Sequence, residues 1–428
     1  MKKKKATLGI VIGIVVAAII TVSVLLVINL IKNRNTNADD IGEIYYYQTP
    51  AEHIAEENGI SFADNEILVV ANESVSKKDI EQLAEKYGAE IVGYIEATGD
   101  YQWRMDSSFD FAGFDDLADK LRKEDLISRV NLNYVSSVGV DSIDYDINYG
   151  DEWREDIQDE TSEDGIAWSI KAANVIEAWE LLDSKKSDLI PINVGLIDTC
   201  FDETNISDYS FVQTFYNDDT NGEVLQAYRN DNGNGHGTHV AGTFAARGND
   251  NNGICGVYPY SDGHLYAASV LGAVSAPGNG NNQNTCMQLK VCFAELILRK
   301  VKVINISLNN KRERVNHIVD RADGWEEELE ELTQNADLLG DFLERTLDDG
   351  YDFVIVSAAG NSSSLEHPQL DAQYNSFLNA ISSEKYSDVF NRIIVVGSLG
   401  KDYQISSFSN GGARVDIYAP GEDVFSTL

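Results

Sequence analysis

Basic residues are in deficit in this chain: 33 Lys and Arg stand against 70 Asp and Glu in 428 residues, a formal net charge of −37. A phosphate backbone needs Lys and Arg opposite it, so this balance argues against a nucleic-acid partner and fits solubility outside a cell or cation binding. Cysteine is scarce as well. Cys200, Cys255, Cys286 and Cys292 show no CxxC or metal-ligand spacing, and they allow three pairings or none. Cys286 and Cys292 lie six apart on an expected helix and therefore on different faces, so free, buried thiols are the simpler expectation. Neither an HExxH zinc motif nor a GxSxG elbow occurs. The length allows two or three domains and a core that needs neither metal nor disulfide.

What the chain does have begins with an apolar run. Lys2 to Lys5 precede residues 8–31, which are apolar apart from Thr21, Ser23 and Asn29. At about 1.5 Å per residue the run spans a hydrocarbon core of roughly 30 Å, and it is longer than the roughly 7–15 residues of a cleavable signal. Residues 1–34 are therefore expected to form a basic tip and an uncleaved membrane anchor. Lys2 to Lys5 outnumber Lys32 and Arg34, which puts the N-terminus in the cytoplasm and the remainder outside, as a single-pass cell-membrane protein. Residues 35–61 are polar and aperiodic and read as a tether.

Residues 62–140 follow the order β-α-β-β-α-β. A short strand at 66–71 leads to Ser76-Lys77-Lys78-Asp79, a capping box for a helix whose Ile80, Leu83, Ala84 and Tyr87 recur at i, i+3, i+4 and i+7. Strands at 90–96 and 101–105 flank a turn, Phe114, Leu117 and Leu121 mark a second helix, and 127–134 closes the sheet. A small ferredoxin-like α+β domain results, with two helices on one sheet face and the other face in need of cover. Residues 141–166 are acidic and turn-rich, an exposed linker in which processing is expected.

From 167 to 428, strand-like runs at 192–197, 264–270, 301–307, 353–357 and 393–397 alternate with helical ones. This implies a doubly wound, mostly parallel α/β sheet with helices on both faces. The acidic stretch 312–349 carries a helical period through Trp325, Leu329, Leu332, Leu339, Phe342, Leu343 and Leu347, and predicts a helical hairpin on the surface at the domain edge.

Chemistry gathers at Asn234-Gly235-His236-Gly237-Thr238-His239-Val240-Ala241-Gly242. His236, set among small residues, is the candidate general base, and such a base needs a carboxylate to hold its tautomer. Asp198 ends the apolar run 192–197, where a buried parallel strand emerges and ligands collect. Asn361 follows Ala358-Ala359-Gly360 and can donate to an oxygen that gains negative charge, while Ala359 and Gly360 leave room for a peptide. Ser307, Leu308 and Asn309 continue a strand and offer an edge to a substrate main chain. His236 and His239 are three apart, but no third zinc ligand of the HExxH kind accompanies them.

Taken in order, these segments resemble those of the subtilisin-like serine peptidases. Ile-Asp-Thr at 197–199 resembles the family's aspartate segment, and His-Gly-Thr-His-Val-Ala-Gly at 236–242 resembles its histidine segment. Val-Ile-Asn-Ile-Ser-Leu at 303–308 is similar to the cleft strand, and Ala-Ala-Gly-Asn at 358–361 to the oxyanion segment. Phe-Ser-Asn at 408–410 and Tyr-Ala-Pro-Gly at 418–421 are similar to the run towards the nucleophile. Joined to the anchor expected at 1–34, the resemblance implies an extracellular serine endopeptidase acting on a peptide or protein substrate. In it Asp198 orients, His236 is base and then acid, Asn361 binds the oxyanion, and Ser307, Leu308, Asn309, Ala359 and Gly360 bind substrate. The 62–140 domain is similar to the family's inhibitory propeptide, which makes it the protein's own partner. No cofactor is required; Asn249-Asp250-Asn251-Asn252 resembles a family loop that sometimes holds a structural calcium ion.

Three departures accompany the resemblance. The family's Gly-Thr-Ser nucleophile segment does not occur in the 428 residues, so a C-terminally incomplete, catalytically silent copy is expected. The alternative is a non-catalytic extracellular peptide-binding or scaffolding protein, against which the joint retention of Asp198, His236 and Asn361 counts. Asn309 and Asn310 stand where the family has glycines, which leaves the cleft floor open in shape. Cys200 also replaces a glycine; beside the orienting carboxylate rather than beyond the imidazole, it reads as a packed thiol.

Overall fold

A computed structural model of the chain describes residues 43–139, 168–185, 192–198, 236–245, 256–258, 265–270, 283–310, 312–365, 367, 370–424 and 426. The expected anchor at 8–31, the linker 141–166, Cys200, Cys255 and the 249–252 loop lie outside the described residues. Among the described residues no helix is long and apolar enough to cross a membrane.

The N-terminal part contains β1 (Ile44–Tyr45), β2 (Ile54–Glu57), β3 (Ile60–Ala71), α1 (Lys77–Lys86), β4 (Ala89–Ile95), β5 (Asp100–Met105), α2 (Phe111–Leu121) and β6 (Ile127–Gly139). Its central strands run in the order β4-β5-β3-β6 and are antiparallel throughout. Strand alternation sends Ile67, Val69, Tyr101, Trp103, Val130 and Leu132 to one face, where they pack with Ile80 and Leu83 of α1 and Phe114 and Leu121 of α2. Ser76 caps α1 by accepting from Asp79 N at 3.2 Å, and Asp110 caps α2 by accepting from Gly113 N at 2.8 Å. The tether expected at 35–61 is shorter than its composition suggested. From residue 43 onward it adds β1 to β4 and β2 to β3 as antiparallel edges. Edge pairing uses backbone groups and needs no apolar period, which is why the pattern was silent.

The second part contains α3 (Trp168–Ala172), α4 (Val175–Ser184), β7 (Asn193–Asp198), α5 (His236–Ala245), β8 (Leu265–Ser269), β9 (Gln283–Thr285) and α6 (Cys286–Leu298). It continues with β10 (Val301–Ile306), β11 (Asn309–Asn310), α7 (Arg312–Asp320), α8 (Trp325–Asp348), β12 (Val354–Ala358), α9 (Ser387–Phe390), β13 (Ile393–Leu399) and β14 (Ile417–Pro420). Six strands form a sheet in the order β14-β13-β12-β10-β7-β8, and every pair is parallel. From β7 the chain moves out to β8 and then returns to β10 on the other side of β7. That reversal opens a crevice at the carboxyl end of β7. The strand is anchored by buried Val194, Leu196 and Ile197, each worth roughly 1.5–3 kcal/mol. Gly195 lets α6 approach: a Cβ there would stand 2.9 Å from Val301 Cγ1 and 3.0 Å from Leu296 Cδ1.

The open face of the N-terminal sheet lies against α6 and α8. Leu68, Val70 and Ile95 belong to the same buried cluster as Met287, Phe293, Leu338 and Phe342. The predicted helical hairpin is present as α7 and α8, joined by Arg314 to Glu331 and to Glu328 O, but α8 does not lie on the surface at the domain edge. Leu332, Ala336, Leu339 and Leu343 are buried in the core, while Gln334, Asp341 and Arg345 meet the N-terminal domain. An amphipathic period identifies the apolar stripe of a helix but cannot reveal a polar stripe that is covered by polar partners. Beyond Tyr134, β6 leaves its own domain and enters the second. Val135, Ser136 and Ser137 pair antiparallel with Thr285, Asn284 and Gln283, then Val138 and Gly139 pair with Asn310 and Asn309.

Candidate active site

Because the second sheet is parallel, the carboxyl ends of β7, β10 and β12 share one edge, and the candidate residues follow those ends. Asp198 closes β7 and is fully buried. His236 opens α5, and its Nδ1 lies 2.6 Å from Asp198 Oδ1. An ionised carboxylate only accepts, so the contact places the proton on Nδ1 and leaves Nε2 as the acceptor on a ring that is one-fifth exposed. The two residues are 38 positions apart in sequence and meet where β7 ends and α5 begins.

Ser307 and Leu308 continue β10 past the same edge, and β11 then pairs with the tail of β6. Of the three residues expected to bind substrate here, Asn309 is the one paired with an added strand. Leu308 is buried in the core, and Ser307 Oγ accepts from Asn305 Nδ2 at 3.0 Å. Asn309 does not adopt a positive φ, so the asparagine in the glycine position sits in ordinary extended backbone.

The loop after β12 carries Ala359, Gly360 and Asn361. Ala359 was expected to line the cleft, but it is a core residue whose N–H donates to Val396 O at 2.8 Å, prolonging the ladder. Gly360 has φ +104, and a Cβ there would strike the amides of Asn375 and Asn410. Its role is therefore to permit the turn that presents Asn361, which is half-buried at the same edge.

Three asparagines that the sequence did not mark as functional residues hold this loop. Asn410 N donates to Gly360 O at 2.8 Å, and Asn410 Oδ1 accepts from Ser362 N and Ser363 N at 3.0 Å each. Asn379 Nδ2 donates to Ala358 O at 2.9 Å, while its Oδ1 accepts from Ser357 Oγ at 2.8 Å. Asn375 Nδ2 reaches both walls, donating to Ala358 O at 3.2 Å, Leu308 O at 3.4 Å and Asn309 Oδ1 at 3.3 Å. Only Asn410 carried a signal, through its place in Phe-Ser-Asn at 408–410.

His239, one turn beyond His236, is tied to the chain near its end. Its Nε2 donates to Val424 O at 3.1 Å, and Ser426 Oγ donates to His239 O at 2.5 Å. Burial, and then the neighbouring His236, hold its imidazole below the ordinary value. Among the described residues no group of three or more His, Cys, Asp and Glu is arranged to hold a metal ion. Cys286 and Cys292 are free, and burial pushes both thiols up to about 12, which makes them poor nucleophiles.

The chain is 29% identical over 195 residues to the major intracellular serine protease of Bacillus subtilis, covering 46% of this chain and 47% of that protein. It is 23% identical over 364 residues to the minor extracellular protease Epr of the same organism, covering 84% and 45%. Among solved structures, the epidermin leader peptide processing serine protease of Staphylococcus aureus aligns with a TM-score of 0.45 at 16% identity, over 83% of this chain and 75% of that one. The chain spans about half the length of the curated relatives it matches. The family model for peptidase S8, the subtilases, matches residues 191–428, more than half of the sequence, and the chain belongs to that family.

Proposed function

We propose that the protein is a serine endopeptidase that hydrolyses peptide bonds by acyl transfer and is made as a precursor. The observation that carries this is the 2.6 Å contact of His236 Nδ1 with buried Asp198 at the crevice of a parallel sheet. The nucleophile of this proposal is a serine oxygen; the family's Gly-Thr-Ser segment does not occur within the 428 residues. As that serine's Oγ attacks the substrate carbonyl carbon, its proton passes to His236 Nε2, and the carbonyl electron pair moves onto oxygen. Asn361 donates to this oxyanion. His236 then delivers the proton to the departing amine nitrogen as the C–N bond breaks, leaving an ester on the serine. Water, deprotonated by His236, cleaves that ester. Asp198 stays ionised throughout and steadies the imidazolium.

In this proposal the substrate main chain adds as a strand beside Asn309 and Asn310. The N-terminal domain is an inhibitory propeptide. Its support is the antiparallel pairing of residues 135–139 with β9 and β11, where such a substrate strand would lie. Processing falls in the linker 141–166. Residues 8–31 anchor the protein in the cell membrane, with the peptidase domain outside. The chemistry requires no cofactor, and calcium at 249–252 would serve stability alone.

Sequencing the gene past the Leu428 codon and expressing the continued frame tests the proposal. A Gly-Thr-Ser whose serine takes a fluorophosphonate probe, with turnover abolished by His236→Ala, is the expected result. A stop codon after Leu428, or normal turnover of His236→Ala, would overturn it in favour of a non-catalytic peptide-binding protein.

A further inference from the structure

In the proposed reading a substrate strand lies on β11, and the carbonyl oxygen that gains charge points to Asn361. The residue that carries this carbonyl is therefore bounded by Asn309 on one side and by Gly360 and Asn361 on the other. Its side chain has two directions open to it, out into water or in between these walls, and only the second tells one residue from another. Selection at this position is thus decided by what stands between the walls.

Two amides stand there. Asn375 is fully buried, and its Nδ2 donates to Leu308 O at 3.4 Å on the first wall and to Ala358 O at 3.2 Å at the base of the second. It also donates to Asn309 Oδ1 at 3.3 Å, so the Asn309 side chain turns inward to meet it. A glycine at 309, which the family has, would make no such contact. On the far side the main chain of Gly360 lies flush with the same amide, since a Cβ there would strike both Asn375 and Asn410. This bar is also held from behind. Asn375 follows a 3-10 turn, Ala372–Tyr374, in which Asp371 accepts from Gln373 N at 3.1 Å and Ala372 N donates to Gly411 O at 2.8 Å. Asn375 N then donates to Ala372 O at 3.1 Å, and Ala372 and Phe377 on either side of it are buried in the core. A large side chain could enter only by displacing the buried Asn375 amide from its three acceptors.

We propose that Asn309 and Asn375 close the space between the cleft walls and restrict the protein to peptides with a small residue, Gly, Ala or Ser, on the acyl side of the bond that is cut. A methyl or hydroxymethyl group fits above the amide bar, whereas a Leu, Phe or Lys side chain collides with it. The two asparagines meet the substrate side chain and not the reacting atoms, so they set specificity and leave the chemistry of His236 unchanged. The inference deepens the proposed function and rests on its reading of the cleft.

The test reads binding first, so that it needs no nucleophile. Peptides of one sequence, labelled with a fluorophore at the amino end and differing only in a carboxyl-terminal Ala, Ser, Leu, Phe or Lys, are titrated against the full chain by fluorescence anisotropy. Residues 135–139, which pair with β9 and β11, compete equally with every member, so the ratios are unaffected. Peptides ending in Ala or Ser should bind ~100-fold more tightly than those ending in Leu, Phe or Lys. Asn309→Gly combined with Asn375→Ala should bring the Phe peptide to within about threefold of the Ala peptide. Because loss of Asn375 lowers stability, Asn309→Gly alone serves as the companion, and should improve Phe relative to Ala at least ~5-fold over wild type. Equal binding of Ala and Phe peptides by the wild-type chain, a ratio that Asn309→Gly leaves unmoved, or no binding of any member at millimolar concentration overturns the inference. Selective binding without turnover of any peptide counts against the proposed peptidase activity alone. Turnover of Phe and Ala peptides with equal kcat/KM overturns the inference alone.

Discussion

Asn410 and Gly360 are joined main chain to main chain, Asn410 N donating to Gly360 O at 2.8 Å, and the Asn410 amide oxygen then receives the N–H groups of Ser362 and Ser363. The turn that presents Asn361 is thus set by a residue about fifty positions downstream. Asn410→Ala would take the Oδ1 acceptor from Ser362 N, whereas Ser363 N keeps Phe408 O at 3.0 Å, so a loss of about 1–3 kcal/mol is expected. We expect a correspondingly lower urea midpoint and, for the peptidase activity proposed above, a lower kcat with KM little changed.

The Asn375 side chain acts only as a donor, to Leu308 O, Asn309 Oδ1 and Ala358 O, and its own Oδ1 is buried without a partner. Asn375→Ala removes a bridge between the two cleft walls and is expected to cost about 1–3 kcal/mol. Asn375→Asp keeps the shape but turns an oxygen towards Ala358 O, Leu308 O and Asn309 Oδ1, so it should be the more destabilising of the two. Thermal melts of both variants check the order. Equal melts, or a milder effect of Asp, would mean that the amide bridge is not what holds the walls.

These asparagines mark where legibility in the sequence ends. Asp198 and His236 were readable because one ends a continuous apolar run and the other sits among small residues, both local patterns. The parallel sheet was readable from alternating runs, and the N-terminal domain from its two helical periods. The register that places Gly139 opposite Asn309 was not, since strand pairing depends on residues 170 positions apart. Asn375 and Asn379 lie in a loop with no period, and most of their partners are backbone atoms, which leave no trace in side-chain type. The polar stripe of α8 was invisible for a related reason: Gln334, Asp341 and Arg345 look like any solvated helix face until another domain covers them.

For the peptidase activity proposed above, Asp198→Asn should lower kcat by about 10⁴, because an amide can stabilise the wrong tautomer of His236 and cannot steady the imidazolium. KM should change little, since in the proposed reading the substrate strand docks on β11 and not on Asp198. Asn361→Ala should cost about 10² to 10³ in kcat, the size typical of losing one oxyanion donor. Steady-state kinetics on a peptide that spans the cleft separates the two effects. A large rise in KM for Asp198→Asn would mean that the residue shapes the cleft instead of orienting the base.

Glu66 makes the interdomain region sensitive to pH, with a sign that can be worked out. Its carboxyl is fully buried on the sheet face turned towards α6, and its Oε2 accepts from Thr49 Oγ1 at 2.9 Å and from Gln102 Nε2 and Asn133 Nδ2 at 2.7 Å each. Burial raises its pKa above the ordinary carboxylate value, and the three hydrogen bonds and the charge of Arg104 only partly offset this. Well below pH 4.5 the group is protonated in both folded and unfolded chains and contributes no difference. As pH rises past 4.5, the unfolded chain gives up the proton first, so stability falls until the folded pKa is passed and is level beyond it. Each unit of upward displacement removes about 1.4 kcal/mol. Other groups titrate too: His239, held low, adds stability as pH rises towards 6.5, and Glu331, raised by burial, acts in the same sense as Glu66. The difference between wild type and Glu66→Gln removes those shared contributions. The variant's melting temperature relative to wild type should therefore climb from pH 4.5 upward and level off. A difference that is flat with pH, or that falls, would show that Glu66 is ionised as readily inside the fold as outside it.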